Sequence, residues 1–443
     1  MIWFALKRFL NLNVMTDRSQ APRITPFADI RLDFPQQQTL SCGIPIWIVD
    51  GGDEEVCQLS VYVAGGTMHD SQPLLSMLTS QMCLEGSEHY AALDIAEQLD
   101  YYGAWKTSQS HDQMSQLSLS SMTECYPRLL PMVVDGLAHA VFPESEFEVY
   151  KQRYAASYAT LRDRVKYLAA VELRRLYYGA GHPLVADVDP HRLLQLTTGD
   201  LKQFYRQYYH PSNCCIILAG RVNEQMLQAT DDAFGQWHDE HDSKVAPLPW
   251  DIKPADEMLS IVDKPGAIQA AVSMAIQAIG RNHPDYLALR VLCTVLGGYF
   301  GSRLMSNIRE DKGYTYGINA FLSGREQDGF VGVTTECDVH YTWQLIDEVK
   351  YEMQRLRDQL IPEAELALVR QYMLSDQVKT LDTPFSLASY VASTLLYGVY
   401  PEYFNRQIET ILNITPQRLQ QVAQAYLDLD RLRIVIAGDK SQL

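Results

Sequence analysis

The second half of this 443-residue chain repeats the first, and no other feature of the sequence constrains its fold as tightly. Leu176 to Val222 reads LYYGAGHPLVADVDPHRLLQLTTGDLKQFYRQYYHPSNCCIILAGRV, and Leu395 to Lys440 reads LLYGVYPEYFNRQIETILNITPQRLQQVAQAYLDLDRLRIVIAGDK. Gly179 answers Gly398, Leu201 answers Leu419, Tyr208 answers Tyr426 and Ala219-Gly220 answers Ala437-Gly438, at an offset of 218 or 219 residues throughout. Each copy reads as a tyrosine-rich helix, a loop, a helix started by threonine, and an aliphatic strand ending in Ala-Gly. Four matches in register point to an internal duplication. A period of about half the chain implies two similar domains rather than a solenoid.

Between the copies, QWHDEHDSKVAPLPWDIKPADEM carries three prolines and mixed charge, the composition of a linker. The expected division is a ragged segment over residues 1–23, a first domain over 24–235, a linker over 236–258 and a second domain over 259–443. Residues 24 to 66 alternate as strands, and Pro73 to Tyr102 takes a helical period in two pieces, the second opening at Ser87 and closing before Gly103. QMSQLSLSSMT is strand-like, and helices are expected from Pro127 to His139 and from Pro143 to about Arg175. Each half is therefore predicted to be α+β, antiparallel strands with helices grouped against one face.

The net charge of −17 speaks against a nucleic-acid surface, which needs clustered Lys and Arg, and suits cationic or neutral peptide partners. The eight cysteines include no CxxC pair, and several sit in apolar runs, so buried free thiols and a reducing compartment are expected. The opening MIWFALKRFLNLNV is interrupted by Lys7 and Arg8 and followed by no small-residue cleavage site. A start at Met15 would remove it. A cytoplasmic location is expected, with a transit-type peptide as the alternative, and no run is long and apolar enough to span a membrane.

The most informative stretch for function is Leu296 to Phe321, LGGYFGSRLMSNIREDKGYTYGINAF. A glycine pair leads into an amphipathic run, a charged turn ending in Gly313, and an alternating strand. Arg309 and Tyr316 lie seven residues apart across this helix–strand corner, where a cation and a phenol can both reach a peptide carbonyl or a developing oxyanion.

With the duplication, this stretch resembles the insulinase/pitrilysin-type metallopeptidase family, an inverted-zincin group that includes the mitochondrial processing peptidase subunits. The resemblance runs from about residue 24 to 440. It implies two homologous α+β domains facing each other across a chamber. It also implies that Arg309 and Tyr316 hold the substrate backbone near the scissile bond, with the Tyr supporting the oxyanion.

Peptide-cleaving members of that family carry HxxEH on the first helix of the first domain, two His holding zinc from one helical face and a Glu activating the metal-bound water. Here MCLEGS (Met82 to Ser87) resembles the segment just after that motif, so Met77, Ser80 and Gln81 stand where His, Glu and His should. A thioether, a hydroxyl and an amide make neither an ordinary zinc site nor a general base. The third ligand, a Glu, would fall near Ala155 to Ala159, where there is none; Asp163 is the nearest acid downstream. His238-Asp239-Glu240-His241 lies in the linker without a helical face. His89, His111 and His182 stand alone, with structural or surface roles expected.

The resemblance then implies a non-catalytic, pseudopeptidase-like subunit of a metalloendopeptidase heterodimer, inactive alone. No metal or cofactor is expected in this chain, and zinc is expected in an HxxEH-bearing partner of the same family. Extended peptides would bind as a strand added to a sheet edge. Two other readings stand beside it, a structural or peptide-binding scaffold with no part in cleavage, and a stand-alone metallopeptidase with unusual ligands. No nucleic-acid or membrane partner is expected.

Overall fold

The alternating runs of each half assemble into one sheet apiece in the computed structural model, which describes residues 30–185, 187–237, 244–249, 251–326, 328–399 and 401–443. The first half runs β1 (Gln37–Thr39), β2 (Pro45–Asp50), β3 (Val56–Ala64), α1 (Leu75–Met82), α2 (Ala92–Tyr101), β4 (Trp105–Ser110), β5 (Met114–Met122), α3 (Tyr126–Ala138), α4 (Glu144–Leu161) and α5 (Val165–Tyr178). It continues through the single turn α6 (Pro190–Leu193), α7 (Thr198–Tyr208), β6 (Cys214–Gly220) and α8 (Glu224–Phe234). The second half runs β7 (Leu259–Asp263), β8 (Gln269–Ile279), α9 (Tyr286–Gly297), a π-helix (Met305–Asp311), β9 (Thr315–Gly324) and β10 (Asp328–Asp338). It ends with α10 (Thr342–Asp358), α11 (Glu363–Thr380), α12 (Pro384–Tyr397), α13 (Tyr403–Asn413), α14 (Pro416–Tyr426) and β11 (Arg433–Gly438).

The six-stranded first sheet has the order β1-β2-β6-β3-β5-β4, and the five-stranded second sheet β7-β11-β8-β10-β9. The α+β class read from the sequence holds, with one addition. Each sheet contains a parallel pair among its antiparallel ones, β2 with β6 and β7 with β11, because the final Ala-Gly strand of each copy inserts beside that copy's opening strand. The duplication is visible in the helices: α4 and α5 repeat as α11 and α12 at an offset of 219 residues. Gly179 and Gly398 end α5 and α12 at φ +90° and +59°, where a side chain would strain the backbone. Thr197 and Thr415 cap α7 and α14 by accepting the Asp200 and Arg418 N–H groups.

Two helix boundaries differ from expectation. The second helix begins at Ala92, not Ser87, because residues 87–91 are tied elsewhere: Ser87 bridges Ala140, and its hydroxyl accepts the Tyr90 N–H at 3.2 Å. The long helix expected from Pro143 to Arg175 breaks at residues 162–164, where no Gly or Pro marks it.

That break matters, because it lets α5 leave its own half. Ala169, Leu173, Leu176, Tyr177 and Tyr178 of α5 pack on Ala271 and Ala275 of β8 and on Val435 and Ala437 of β11, all buried. The reciprocal exchange is made by α12, whose Ala388, Val391 and Ala392 pack on Trp47, Val49, Tyr62, Cys215, Ile217 and Ala219 of the first sheet. Small residues on both sides let helix and sheet approach closely. The opposite face of the first sheet is covered by its own helices through Leu78, Met82, Leu130, Val133, Leu201, Phe204 and Met226.

Polar contacts lock the exchange. The Tyr177 hydroxyl lies 2.8 Å from Asp328 Oδ1 and 2.7 Å from the Gly329 carbonyl, and donates its proton between them. Arg325 donates to Asp112 at 2.9 Å, joining the β9–β10 turn to the β4–β5 turn. Asn405 holds both the N–H and the carbonyl of Leu32 at 3.0 and 2.9 Å. All eight cysteines are free, as expected, and six are buried. Among the described residues no helix is long and apolar enough to cross a membrane.

Because Tyr177 serves a buried carboxylate from the other half, Tyr177→Phe should lower stability by about 1–3 kcal/mol, the cost of leaving that group short of a donor. The midpoint of urea unfolding measures this, and an unchanged midpoint would show that the contact contributes nothing.

Candidate functional site

Arg309 and Tyr316 sit where the π-helix turns into β9. The π-helix widens the turn, and its hydrogen bonding runs on to Lys312, whose N–H reaches the Asn307 carbonyl at 3.2 Å. Tyr314 N–H then closes the corner on the Ile308 carbonyl at 3.0 Å. Most polar side chains of the motif are engaged in holding this corner. Arg303, 9% exposed, makes a two-point contact with Glu365 at 2.8 and 3.0 Å. Asn307 donates to Glu348 and Glu352 of α10 at 3.0 and 2.9 Å, and Lys312 pairs with Glu348. Arg309 is different: its guanidinium lies over the Phe300 ring at 4.6 Å, and no ion pair to it occurs among the described residues. It is half-buried and held flat by an aromatic face, with its donors available.

Tyr316 owes its position to a register shift. By alternation it would share the face of Ile318 and Ala320, which are buried at 4% and 1% exposure. Between β9 and β10 the pairing steps from Ile318↔Thr335 to Thr315↔Cys337, so two residues, Tyr316 and Gly317, oppose Glu336 alone. A bulge of this kind re-aims a side chain, and Tyr316 is 92% exposed. Two threonines clamp it. Thr315 Oγ1 accepts the Gly317 N–H at 3.1 Å and lies 2.7 Å from the Glu336 carbonyl, while Thr335 Oγ1 lies 2.9 Å from the Gly317 carbonyl. Sequence reasoning missed Thr315 and Thr335, since a bulge is a property of two paired strands.

Tyr316 lines a cleft of about 440 Å³ with Met305, Asn319, Thr334 and Glu336 of the second half and Lys166 and Ala170 of α5. Strand β9 is an outer edge of its sheet and among the described residues pairs with β10 alone, so its other side offers backbone groups to an added strand. In the first sheet the outer edge is β4, which packs beside α1.

The positions expected to have lost zinc chemistry lie on α1. Met77 and Gln81 are half-buried, and Ser80 is 1% exposed. The Ser80 hydroxyl lies 3.1 Å from Ser108 Oγ on β4 and 3.2 Å from the Gln116 carbonyl. Gln81 Nε2 donates to the Tyr150 hydroxyl at 3.2 Å, Tyr150 donates to Glu85 at 2.6 Å, and Lys106 donates to the same carboxylate oxygen at 2.7 Å. Burial and the Glu85 carboxylate push the Tyr150 phenol up to about 12, which keeps it a donor. These residues do not fit a zinc ion: Ser80 is engaged by Ser108 and the Gln116 carbonyl, Gln81 by Tyr150, and the Glu85 carboxylate is taken up by Tyr150 and Lys106. Tyr150 of α4 reaches α1 through its hydroxyl, and Ala155 is buried in the core that α1 shares. Asp163 faces away, paired with Lys264 at 2.7 Å.

Histidine placement brings one correction. His111 lies 3.1 Å from Gln116 Oε1 and His182 stacks on Tyr178, both structural roles. His89 does not stand alone, because its Nδ1 lies 2.8 Å from Asp135 Oδ1, and His139 Nδ1 lies 2.9 Å from the same oxygen. Burial pushes the Asp135 carboxyl up, but hydrogen bonds from Ser87, His89 and His139 outweigh it and hold the group below the usual carboxylate range. The His238–His241 patch lies outside the described residues.

Comparisons with known proteins bear on the fold. A family model described as "Peptidase M16 inactive domain" matches residues 195–373. The protein named uncharacterized zinc protease YmxG of Bacillus subtilis is 22% identical over 80% of this chain and 86% of its own length. The protein named non-peptidase homolog YmxG of Helicobacter pylori is 19% identical over 85% of this chain and 88% of its own. The crystal structure of a peptidase M16 inactive domain from Pseudomonas fluorescens superposes with a TM-score of 0.82, covering 91% of this chain and 97% of that one at 20% identity, a likeness of fold. The chain is thus similar to peptidase M16-type proteins over most of its length, and its sequence lacks the HxxEH motif.

Two expectations test this part of the structure. Replacing Thr315 by Val removes the clamp's hydroxyl and should cost about 1–2 kcal/mol, whereas Ser should retain most of it; urea unfolding of both variants separates the hydroxyl from packing. The second concerns Asp70, which accepts the N–H of Ser76 at 2.7 Å at the start of α1 and whose carboxyl burial raises to about 7. A carboxyl that holds its proton more tightly when folded stabilises the fold below its unfolded value near 4, and that contribution is lost as the pH rises towards 7. Adjacent His69, lowered by burial, works in the opposite sense. The difference between wild type and Asp70→Asn isolates the acid: the variant should gain up to ~4 kcal/mol relative to wild type between pH 4 and 8. Parallel stability curves would refute the assignment.

Proposed function

We propose that this chain is the non-catalytic subunit of a two-chain zinc metallopeptidase, contributing Arg309 and Tyr316 to a peptide site whose zinc belongs to an HxxEH-bearing partner of the same family. The observation that carries the reading is the contrast between its two candidate sites. The α1 positions are sealed by internal hydrogen bonds, while Tyr316 is turned out by a clamped bulge and Arg309 lies uncommitted on Phe300. A purely structural protein has no need of a 92% exposed tyrosine held by two threonines at an open sheet edge. In this reading the protein comprises two peptidase-like domains, 24–235 and 259–443, with 236–258 as linker.

An extended peptide adds to a sheet edge through its main chain, so flexible segments bind with little demand on side chains. Arg309 donates to a substrate carbonyl. Tyr316 donates to the oxyanion that forms when the partner activates water. The names of the relatives are divided between zinc protease and non-peptidase homolog, and the degenerate α1 helix favours the second for this chain. A cytoplasmic location goes with the eight free thiols.

The test is reconstitution. The purified chain, mixed with HxxEH-bearing family members of its source organism, is assayed for complex formation and for cleavage of a flexible quenched fluorescent peptide. Cleavage should require both chains, and Arg309→Ala and Tyr316→Phe should each lower kcat/KM by about 10- to 1,000-fold, the range for removing one transition-state donor, without weakening the complex. A complex whose cleavage ignores both substitutions would establish the scaffold reading. Chelator-sensitive cleavage by this chain alone would overturn both.

A further inference from the structure

Three potential ligands that the sequence scatters at positions 89, 135 and 139 converge at one point of the first half, and neither the fold nor the proposed peptide site uses them. We propose that His89, Asp135 and His139 bind a divalent transition-metal ion of the zinc class, at a site separate from the degenerate HxxEH positions.

The geometry is prepared by the backbone. Asp135 and His139 stand four residues apart at the end of α3 and so project from one face. The His139 N–H closes that turn on the Asp135 carbonyl at 2.7 Å. His89 arrives on the loop after α1, which is tied to the end of the same helix. Glu88 N–H donates to the His139 carbonyl at 3.1 Å, Val141 N–H to the Gly86 carbonyl at 3.2 Å, and Ser87 N–H to the Tyr90 carbonyl at 2.9 Å. Gly86 turns this loop at φ +135°. The three residues are thus brought together by contacts that need no ion.

One ligand atom from each residue lies within 4.8 Å of the others. Both imidazole Nδ1 atoms face Asp135 Oδ1, at 2.8 and 2.9 Å. An ion about 2.0–2.2 Å from each ligand holds its ligands roughly 3–3.5 Å apart, so each His–Asp distance opens by a few tenths of an ångström to admit it, and the exposed His89 side chain swings to bring the two imidazoles to the same spacing. Asp135 Oδ2 is buried, and the Ser87 hydroxyl is a further donor on this carboxylate, which fixes its orientation. The negative end of the α3 dipole also favours a cation here. His89 and His139 are 66% and 44% exposed, which leaves room for water to complete the coordination.

Ligand chemistry selects the ion. Two imidazoles and one carboxylate suit Zn²⁺, with Ni²⁺, Co²⁺ and Cu²⁺ as competitors, whereas Mg²⁺ and Ca²⁺ prefer an oxygen shell. Bound zinc would tie the loop leaving α1 to the end of α3. It would not restore hydrolysis, since the residues around Ser80 and Gln81 remain as they are.

The full chain, stripped of metal, is titrated with Zn²⁺ in competition with a chromophoric chelator, and the ions bound are counted by native mass spectrometry. One Zn²⁺ per chain is expected, with at least tenfold weaker binding in His89→Gln, Asp135→Asn and His139→Gln, and no competition from excess Mg²⁺. His89→Gln lies on an exposed loop residue and keeps the test informative if Asp135→Asn fails to fold. Binding should survive in His111→Gln and in the double substitution His238→Gln/His241→Gln. Absence of Zn²⁺ binding, or binding unchanged in His89→Gln and His139→Gln, would show the cluster to be a hydrogen-bonded array only. The readout involves no peptide cleavage, so it stands or falls independently of the proposed function.

Discussion

The exchange of helices between halves is the contact on which the rest of this structure depends. Each sheet has one face covered by its own helices, and part of the other face is covered by a single helix from the opposite half: α5 on the second sheet, α12 on the first. An apolar sheet face left in water is costly, so neither half can shed its neighbour without exposing Val435 and Ala437 or Ile217 and Ala219. The exchange also determines what surrounds Tyr316. Lys166 and Ala170 line its cleft because α5 crosses over, and they would be elsewhere if the helix broken at 162–164 continued straight.

The two halves have diverged in opposite directions around this shared plan. In the first, α1 keeps its place against β4, but the positions that would carry ligands and base are joined to neighbours by hydrogen bonds. Ser80 meets Ser108, and Gln81 meets Tyr150 and through it Glu85 and Lys106. The buried Ser80 hydroxyl and the Gln81 amide both have partners, which makes the arrangement stable as it stands. In the second half, the corresponding edge region keeps a bulge whose exposed tyrosine satisfies nothing internal. The contrast between a hydrogen-bonded network on α1 and an exposed tyrosine beside an uncommitted arginine is what the proposed function rests on.

The His89–Asp135–His139 cluster shows how position and chemistry can part company within one fold. Its ligand types are those a zinc peptidase uses, yet they sit on a different helix and loop, away from the α1 positions where the family's motif would stand. That is why the family resemblance gave no hint of it, and why an imidazole judged solitary along the chain proves to have two partners.

How much of this was legible in the sequence differs from one residue to another. Sequence alone determined the duplication, the α+β class, the free cysteines and the threonine start of the repeated helix. These are statements about which residues are present and at what spacing. It also singled out Arg309 and Tyr316. Only the tertiary structure decided that Tyr316 faces outward, since alternation along β9 alone would bury it beside Ile318. Only the fold revealed the parallel pairs, the break that frees α5, the clamp by Thr315 and Thr335, and the meeting of His89 with His139. Each depends on segments far apart in the chain, whose pairing is selected by the burial of whole sheet faces and leaves no local mark in the residues themselves.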